Sequence, residues 1–459
     1  MAEDKMLTNA PVETEIIDTH SVFMNSGGAI RQVKVKDFKR GLTQNDSLIL
    51  SELAFYIDIN QPSSFTVDKS YRVDTGGNMR MRQLWEDASK SVLMDEHGNY
   101  CVLKRSNNQY TEDGSYVLAA DGTVHPDFAH ADFMKIIPKT YGRIQMVGET
   151  ESPTLRCWFS LVPLPGGYII PQQVVGKFKA GLVSGKMRSL PGLIPDNNKN
   201  IYAFWGQAQA RSKKHGLANA DFRAYLLIHM MSKYGWRDSQ NCKIDNGSIV
   251  WGVGLDGTES LNTGETVSEV GFERQKNIKT GATLLLGDTD GNSVVKDINN
   301  KDCHSVNVAG FENPWGQYWE MVQGLCSVGT DVYCWRHNFM PANGTPVASV
   351  FVNVEHVKLT RATSTPASEM NIIATQDGQG FYPIPKGHIS NISYGDYYSY
   401  NSDGQLWLLG GGSISGSGCG LAYAVSSDVW SYSSSRISAR LAFYGDVTEV
   451  SPQRFRELA

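Results

Sequence analysis

The side chains best suited to chemistry fall in two short runs and a scatter of cysteines. His125, Asp127, His130 and Asp132 gather two imidazoles and two carboxylates, a set able to hold a divalent metal. Pro126 and the polar spacing describe equally well a loop ahead of a strand starting at Phe133, and that is the expectation. Asp288-Thr289-Asp290-Gly291-Asn292 opens like a calcium loop. Ser293 and Asn299 occupy the positions where an EF-hand needs glycine and glutamate, so a hairpin turn is expected there. The seven cysteines (Cys101, Cys157, Cys242, Cys303, Cys326, Cys334 and Cys419) include no CxxC pair, which predicts reduced core thiols rather than a zinc site or disulfide framework. His229 lies on an apolar helical stretch and reads as a satisfied core histidine. No Ser/His/Asp arrangement, nucleophile elbow or phosphate-binding glycine loop is present. The expectation is a protein with no catalytic residues, no metal and no cofactor.

The chain has 459 residues, long enough for a large core, and a formal net charge of −5. No basic stripe with interleaved aromatics appears, so a nucleic-acid partner is not expected. Charged residues are only 19%, which suits a component of an assembly better than a free enzyme. The amino terminus has no apolar run of signal-peptide length and no later stretch is long enough to span a bilayer, so membrane insertion is not expected and synthesis in a cytoplasm is.

Residues 1–30 are polar and read as a flexible lead. Residues 31–75 read as an attachment or oligomerisation segment, with alternation at Gln32-Val33-Lys34-Val35-Lys36 and a buried strand or short helix over residues 48–55. Residues 76–450 read as one strand- and loop-rich α+β domain. Strands are expected over residues 100–103, 115–118, 350–357 and 437–444, and residues 133–139 and 143–147 look like two paired strands. Asn219 is placed to cap a helix over residues 220–234 that Gly235 stops. Asn313-Pro314 is placed to cap a second helix, with Trp315, Tyr318, Trp319 and Val322 on one face and Gly324 as its end.

Residues 393–436 depart from this background. Twelve of these 44 residues are Ser, eight Gly, six Tyr and one Asn, the set that builds antibody-like contact loops. Trp407 and Trp430 add large rigid anchors, and Lys and Glu are absent. A disordered linker would not carry Cys419-Gly420-Leu421-Ala422-Tyr423-Ala424, which reads as a buried strand with Leu421, Tyr423 and later Leu441 turned inward. An irregular structural β-meander is the competing reading.

The order of these motifs resembles a known family. Asn313-Pro314-Trp315-Gly316-Gln317-Tyr318-Trp319-Glu320 is similar to the helix motif of the C-type lectin fold in its formylglycine-generating-enzyme-like form. The run from Cys419 to Ala424, followed by Ile437-Ser438-Ala439-Arg440-Leu441-Ala442-Phe443, resembles the carboxy terminus of phage and bacterial variable proteins diversified by retroelements. Residues 98–114, Ile136-Ile137-Pro138-Lys139, residues 186–192 and the helix ending Lys233-Tyr234-Gly235 resemble earlier parts of the same family, whose phage members include tail and head fibre proteins. The resemblance spans roughly residues 80–445 and does not reach residues 1–75.

The resemblance implies a C-type lectin-like fold that displays its last loops as a binding face. The positions most like the diversified set are Tyr397, Tyr398, Tyr400, Gln405, Trp407, Ser413, Ser415, Ser417, Ser426, Ser427, Asp428, Trp430 and Tyr432. It also implies a virion surface protein that binds a host-surface receptor (protein or glycan), meets other virion proteins through its amino-terminal segment and forms a homo-oligomer, a trimer being favoured. The alternative is a structural virion protein that uses the same face in assembly. The related oxidase needs two neighbouring carboxy-terminal cysteines for copper, and Cys419 stands alone.

Overall fold

The computed structural model describes residues 21–26, 29–34, 46–59, 73–147, 154–239, 278–296, 302–341, 356–361, 373–374, 381–385, 396, 398–401, 405–412 and 419–458. Over these it is strand-rich with few helices. No helix among the described residues is long and apolar enough to cross a membrane.

The fold is organised around a helix buried on nearly every side, Ala220–Tyr234. Asn219 caps it by accepting the Asp221 N–H at 3.1 Å, and Gly235 ends it in the left-handed conformation (φ 67°), donating to Met231 O. Its sequence is apolar around the whole circumference rather than along one stripe, so only Lys233 and Tyr234 escape burial. Arg223, which the sequence reading did not place, is thereby driven into the interior, together with His229. Two shorter helices, Met79–Asp87 and Ile201–Arg211, are capped by Asn78 and Asn200, each accepting the N–H three residues on.

Around the helix lie sheets that interleave distant parts of the chain. A seven-stranded sheet runs His215–Leu217, Leu441–Phe443, Gln173–Gly176, Asp132–Ile137, Lys90–Met94, Asn99–Val102, Thr448–Glu449. A five-stranded sheet runs Tyr168–Ile170, Thr140–Val147, Thr154–Ser160, Phe55–Asp58, Asp74–Gly77. Phe55–Asp58 is bonded along Thr154–Ser160, so the expected boundary at residue 75 cuts through this sheet. Residues 48–55 resolve into the end of a helix, Asp46–Leu53, and the first residue of that strand. The alternation at 32–36 contributes to Ala29–Lys34, which pairs with Ser21–Ser26, part of the stretch expected to be a lead.

Several expected elements differ. Residues 133–139 and 143–147 do not pair. Asp132–Ile137 bonds to Lys90–Met94 and Gln173–Gly176, whereas Thr140–Val147 bonds to Thr154–Ser160. Pro138 holds the chain extended where a turn would be needed, so it passes from one sheet to the next. Residues 115–118 make only isolated bridges, Tyr110 with Tyr116 and Leu118 with Val124. Most of residues 350–357 lie outside the described residues; a strand is present at Val357–Thr360. The segment 437–444 is broken at Arg440 into Ile437–Ala439 and Leu441–Phe443, which join different sheets.

Residues 288–292 form no hairpin turn. They link a 3-10 turn, Leu284–Leu286, to the strand Gly291–Lys296, whose partner is Asp302–Val308. Asp288 is buried against Lys135 Nζ (2.9 Å), Lys177 Nζ (3.5 Å) and Ser91 Oγ (2.5 Å). Asp290 accepts from Lys233 Nζ and Tyr234 Oη and pairs with His229 Nε2 at 2.8 Å; His229 is thus a core histidine, satisfied at Nε2 but with no hydrogen-bond partner in the protein at Nδ1. Burial alone would raise both carboxyls. Lys135 and Lys177 hold Asp288 at about 2, and His229 and Lys233 hold Asp290 below the usual carboxylate range. A folded-state pKa below the unfolded one stabilises the fold above the unfolded value, about 4, and that contribution drains away as pH falls towards 2. The urea midpoint is therefore expected to fall steeply between about pH 4 and pH 2, less steeply in Asp290→Asn. A midpoint that is flat across that range contradicts the assignment.

Candidate binding face

Residues 393–436 are built into a second five-stranded sheet, in the order Tyr398–Tyr400, Ala424–Asp428, Leu406–Leu409, Trp319–Met321, Ile437–Ala439. The two outer pairings are parallel and the two inner ones antiparallel. Leu406–Leu409 is the middle strand and is covered on both sides. Trp407 and Leu409 enter the main core, and Leu406 and Leu408 enter a second cluster with Trp430 and Ile437.

This geometry corrects the expected site. Trp407 is fully buried, its ring stacked on Tyr398 and its Nε1 donating to Ser327 Oγ at 2.7 Å. Tyr398 and Ser426 are buried too, and Ser426 Oγ accepts from Arg361 Nη1 at 2.8 Å. Trp430 is buried against Tyr202 and Trp335. The physical reason is that an uninterrupted apolar strand buries both faces, and Leu406-Trp407-Leu408-Leu409 is such a run. Tyr397, Ser413, Ser415 and Ser417 lie outside the described residues.

What reaches the surface is narrower. Tyr400, Gln405, Ser427 and Asp428 are half-buried. Arg361, itself buried, donates to the carbonyls of Gly329, Ser426 and Asn401 and places its guanidinium 4.4 Å from the Tyr400 ring centre. Beyond Asp428 the chain leaves the sheet as a loop with Val429 47% and Tyr432 40% exposed, among exposed Ser431, Ser433 and Ser435. Trp430 plugs beneath the loop, Tyr432 N–H closes a turn onto Val429 O, and Asn198 N–H and Ile437 N–H donate to Ser434 O. Val429 and Arg361 were missed by sequence reasoning. A lone valine among serines gives no signal, and Arg361 lies outside the unusual composition.

The Asn313-Pro314 motif holds this sheet from behind, and it is not a helix. Asn313 is left-handed (φ 46°) and Gly316 has φ 92°, both incompatible with a helical turn. The Asn313 side chain accepts from Val306 N–H at 2.9 Å instead of capping. The turn aims its carbonyls inward at three buried cations. Glu312 O and Asn313 O accept from Arg440 Nη2, Asn313 O from Lys179 Nζ, and Pro314 O from Arg223 Nη1. Glu320, a few residues on, is the carboxylate at the centre, 3.0 Å from Arg440 Nε, 3.5 Å from Arg223 Nη2 and 3.9 Å from Lys179 Nζ. Burial would raise the Glu320 carboxyl, but the three cations hold it below its ordinary value. Burial pushes Lys179 down to about 7, with Arg440 and Arg223 adding to the shift and Glu320 opposing it. The cluster holds the strand Trp319–Met321 and the break at Arg440, and through them the sheet that carries the candidate face.

Among the described residues no group of His, Cys, Asp and Glu side chains is arranged to hold a metal. In the run His125 to Asp132, the last carboxylate is spent on Arg188 (2.9 Å) and Arg211 (3.0 Å). Cys419 is buried, with Sγ donating to Gly410 O, and Leu421, Tyr423 and Leu441 are buried as expected. Cys419 to Tyr423 form turns ahead of the strand Ala424–Asp428 rather than a strand. Among the described residues the structure thus shows a strand-rich α+β chain that carries a composite sheet with an outward loop after Asp428. No known protein family matches this chain, and no curated protein matches it significantly.

Proposed function

We propose that the chain is a surface protein of a phage virion, a tail or head fibre or decoration protein with a C-type lectin-like fold, that binds a host-surface receptor through residues 427–436 and the neighbouring Tyr400 and Gln405. The observation that carries this reading is the loop after Asp428, where an apolar and an aromatic side chain are held outward among serines by a buried tryptophan. An exposed aromatic on a fixed backbone, ringed by small hydroxyl side chains, gives contact area at low entropic cost. The resemblance of residues 437–443 to the variable-protein family supports the fold assignment, and the strand Ala29–Lys34, paired with Ser21–Ser26 of the expected lead, runs into the segment 31–75 read as attachment. Trimeric display would multiply a weak single-site affinity.

The test is adsorption of purified protein to candidate host cells, with the variant Val429→Asp plus Tyr432→Ala. Both side chains are exposed, so the variant is expected to unfold at the parent's urea midpoint and to lose at least about tenfold in adsorption, consistent with two surface contacts of roughly 1 kcal/mol or more. Unchanged adsorption sinks the reading. Loss of particle assembly instead of adsorption would assign the same face to packing within the virion.

A further inference from the structure

Two lysines lie buried in the middle of the seven-stranded sheet. Lys135, on Asp132–Ile137, stands directly across from Ser91 of Lys90–Met94. Lys177 follows Gln173–Gly176 on the other side, its N–H donating to Phe133 O. All three side chains meet one carboxylate. Lys135 Nζ lies 2.9 Å from Asp288 Oδ2 and Lys177 Nζ 3.5 Å from Oδ1. Ser91 Oγ donates to Oδ1 at 2.5 Å and accepts from Lys177 Nζ at 2.7 Å. The lysine side chains are 2% exposed and that of Asp288 5%. Gly310 (φ 83°) closes the remaining side, where a Cβ would stand 2.5 Å from Oδ1 and 3.0 and 3.1 Å from the two lysine nitrogens.

A lysine ammonium touching a carboxylate holds all the atoms of an amide and a water. In solvent the two ions are too well hydrated to condense. Burial removes that protection, because it disfavours the charged forms relative to amine and acid. Burial lowers both lysines with Asp288 opposing, and Lys177 comes down to about 7. Strands bonded side by side hold these groups in one geometry, so the orientation that free reactants must find is already present.

We propose that Lys135 and Asp288 close an amide cross-link. Lys135 passes one proton to Oδ2, and its freed lone pair attacks Cγ. A C–N bond forms, a second proton joins Oδ2, and the Cγ–Oδ2 bond breaks to release one water. The two charges cancel, the nitrogen keeps one hydrogen, nothing is oxidised or reduced, and no co-reactant is needed. Oδ1 becomes the amide carbonyl, and Ser91, backed by Lys177, donates to it while it carries the developing negative charge. The link ties the sheet to the segment after Leu284–Leu286 and so restricts the unfolded chain. Once it is closed Asp288 no longer titrates, and the loss of stability in acid comes from Asp290. The cross-link does not rest on the face of residues 427–436.

Mass spectrometry of the purified, denatured full chain tests it. The intact mass is expected to be one water short of the sequence, and a protease digest to contain one branched peptide joining Lys135 to Asp288. Lys135→Met and Asp288→Ala are each expected to restore the full mass and lose that peptide, and neither has to fold for its mass to be read. Ser91→Ala keeps both reactants and is expected to close several-fold more slowly, read as the unlinked fraction in chains harvested at successive times after synthesis. A parent chain at the full sequence mass overturns the proposal, as does a missing water that fragmentation places on any other residues. Closure as fast in Ser91→Ala as in the parent overturns the part assigned to the serine.

Discussion

Replacing Glu320 with alanine is expected to destabilise the protein by about 3–5 kcal/mol, the cost typical of removing one side of a buried ion pair. Arg440, Arg223 and Lys179 would be left in the interior with backbone carbonyls and the rings of Phe222 and Phe311 beside them but without the carboxylate at their centre. Those carbonyls come from the turn at Asn313 and, for Arg440, also from Gly176 and Lys177, and they cannot supply a full countercharge. Glu320→Gln is expected to follow closely, since it preserves shape and removes only charge. Arg440→Met should cost less than Glu320→Ala, because Glu320 keeps two cations beside it. Urea unfolding of the three variants checks the order. A Glu320→Ala protein within about 1 kcal/mol of the parent would show that the cluster is not the junction assigned to it.

The second large effect concerns Trp407. Trp407→Ala is expected to cost about 3–5 kcal/mol, the usual penalty for emptying a buried tryptophan site, with the Ser327 hydroxyl losing its donor as well. Trp407→Phe fills most of the space and is expected to cost less. This changes how host adsorption can be probed. Any adsorption lost in Trp407→Ala, or in Trp430→Ala, would report unfolding of the sheet, not removal of a contact. The two alanine variants should lose stability and adsorption together, while Val429→Asp plus Tyr432→Ala should lose adsorption alone. A Trp407→Ala protein with the parent's urea midpoint would contradict the burial assigned to it.

Much of the scaffold was legible in advance because its signals are local. The helix Ala220–Tyr234 was marked by an asparagine at one end and a glycine at the other, and caps act within a few residues. The inward direction of Leu421, Tyr423 and Leu441 followed from apolar side chains in a polar stretch. The turn at Asn313 was misread for a related reason. Asn followed by Pro is a fair helix start by local rules, and what overrides it is Val306, whose N–H takes the asparagine's carbonyl. No rule confined to the segment contains that contact.

The candidate face shows the same division. The sequence by itself determined that residues 393–436 are rich in Tyr, Ser, Gly and Trp, that Cys419 to Ala424 belong inside, and that the chain is strand-rich. It could not tell which aromatic side chains face outward, because an aromatic serves a core and an interface equally well. Tertiary structure decided that by placing Leu406–Leu409 between two packed layers, which hides Trp407, and by seating Trp430 under the loop, which leaves Val429 and Tyr432 outside. It likewise decided that Glu320, Arg223, Lys179 and Arg440 meet, although they come from well-separated segments. Composition and caps are properties of short stretches of chain. Burial and charge pairing are properties of whatever the fold brings alongside.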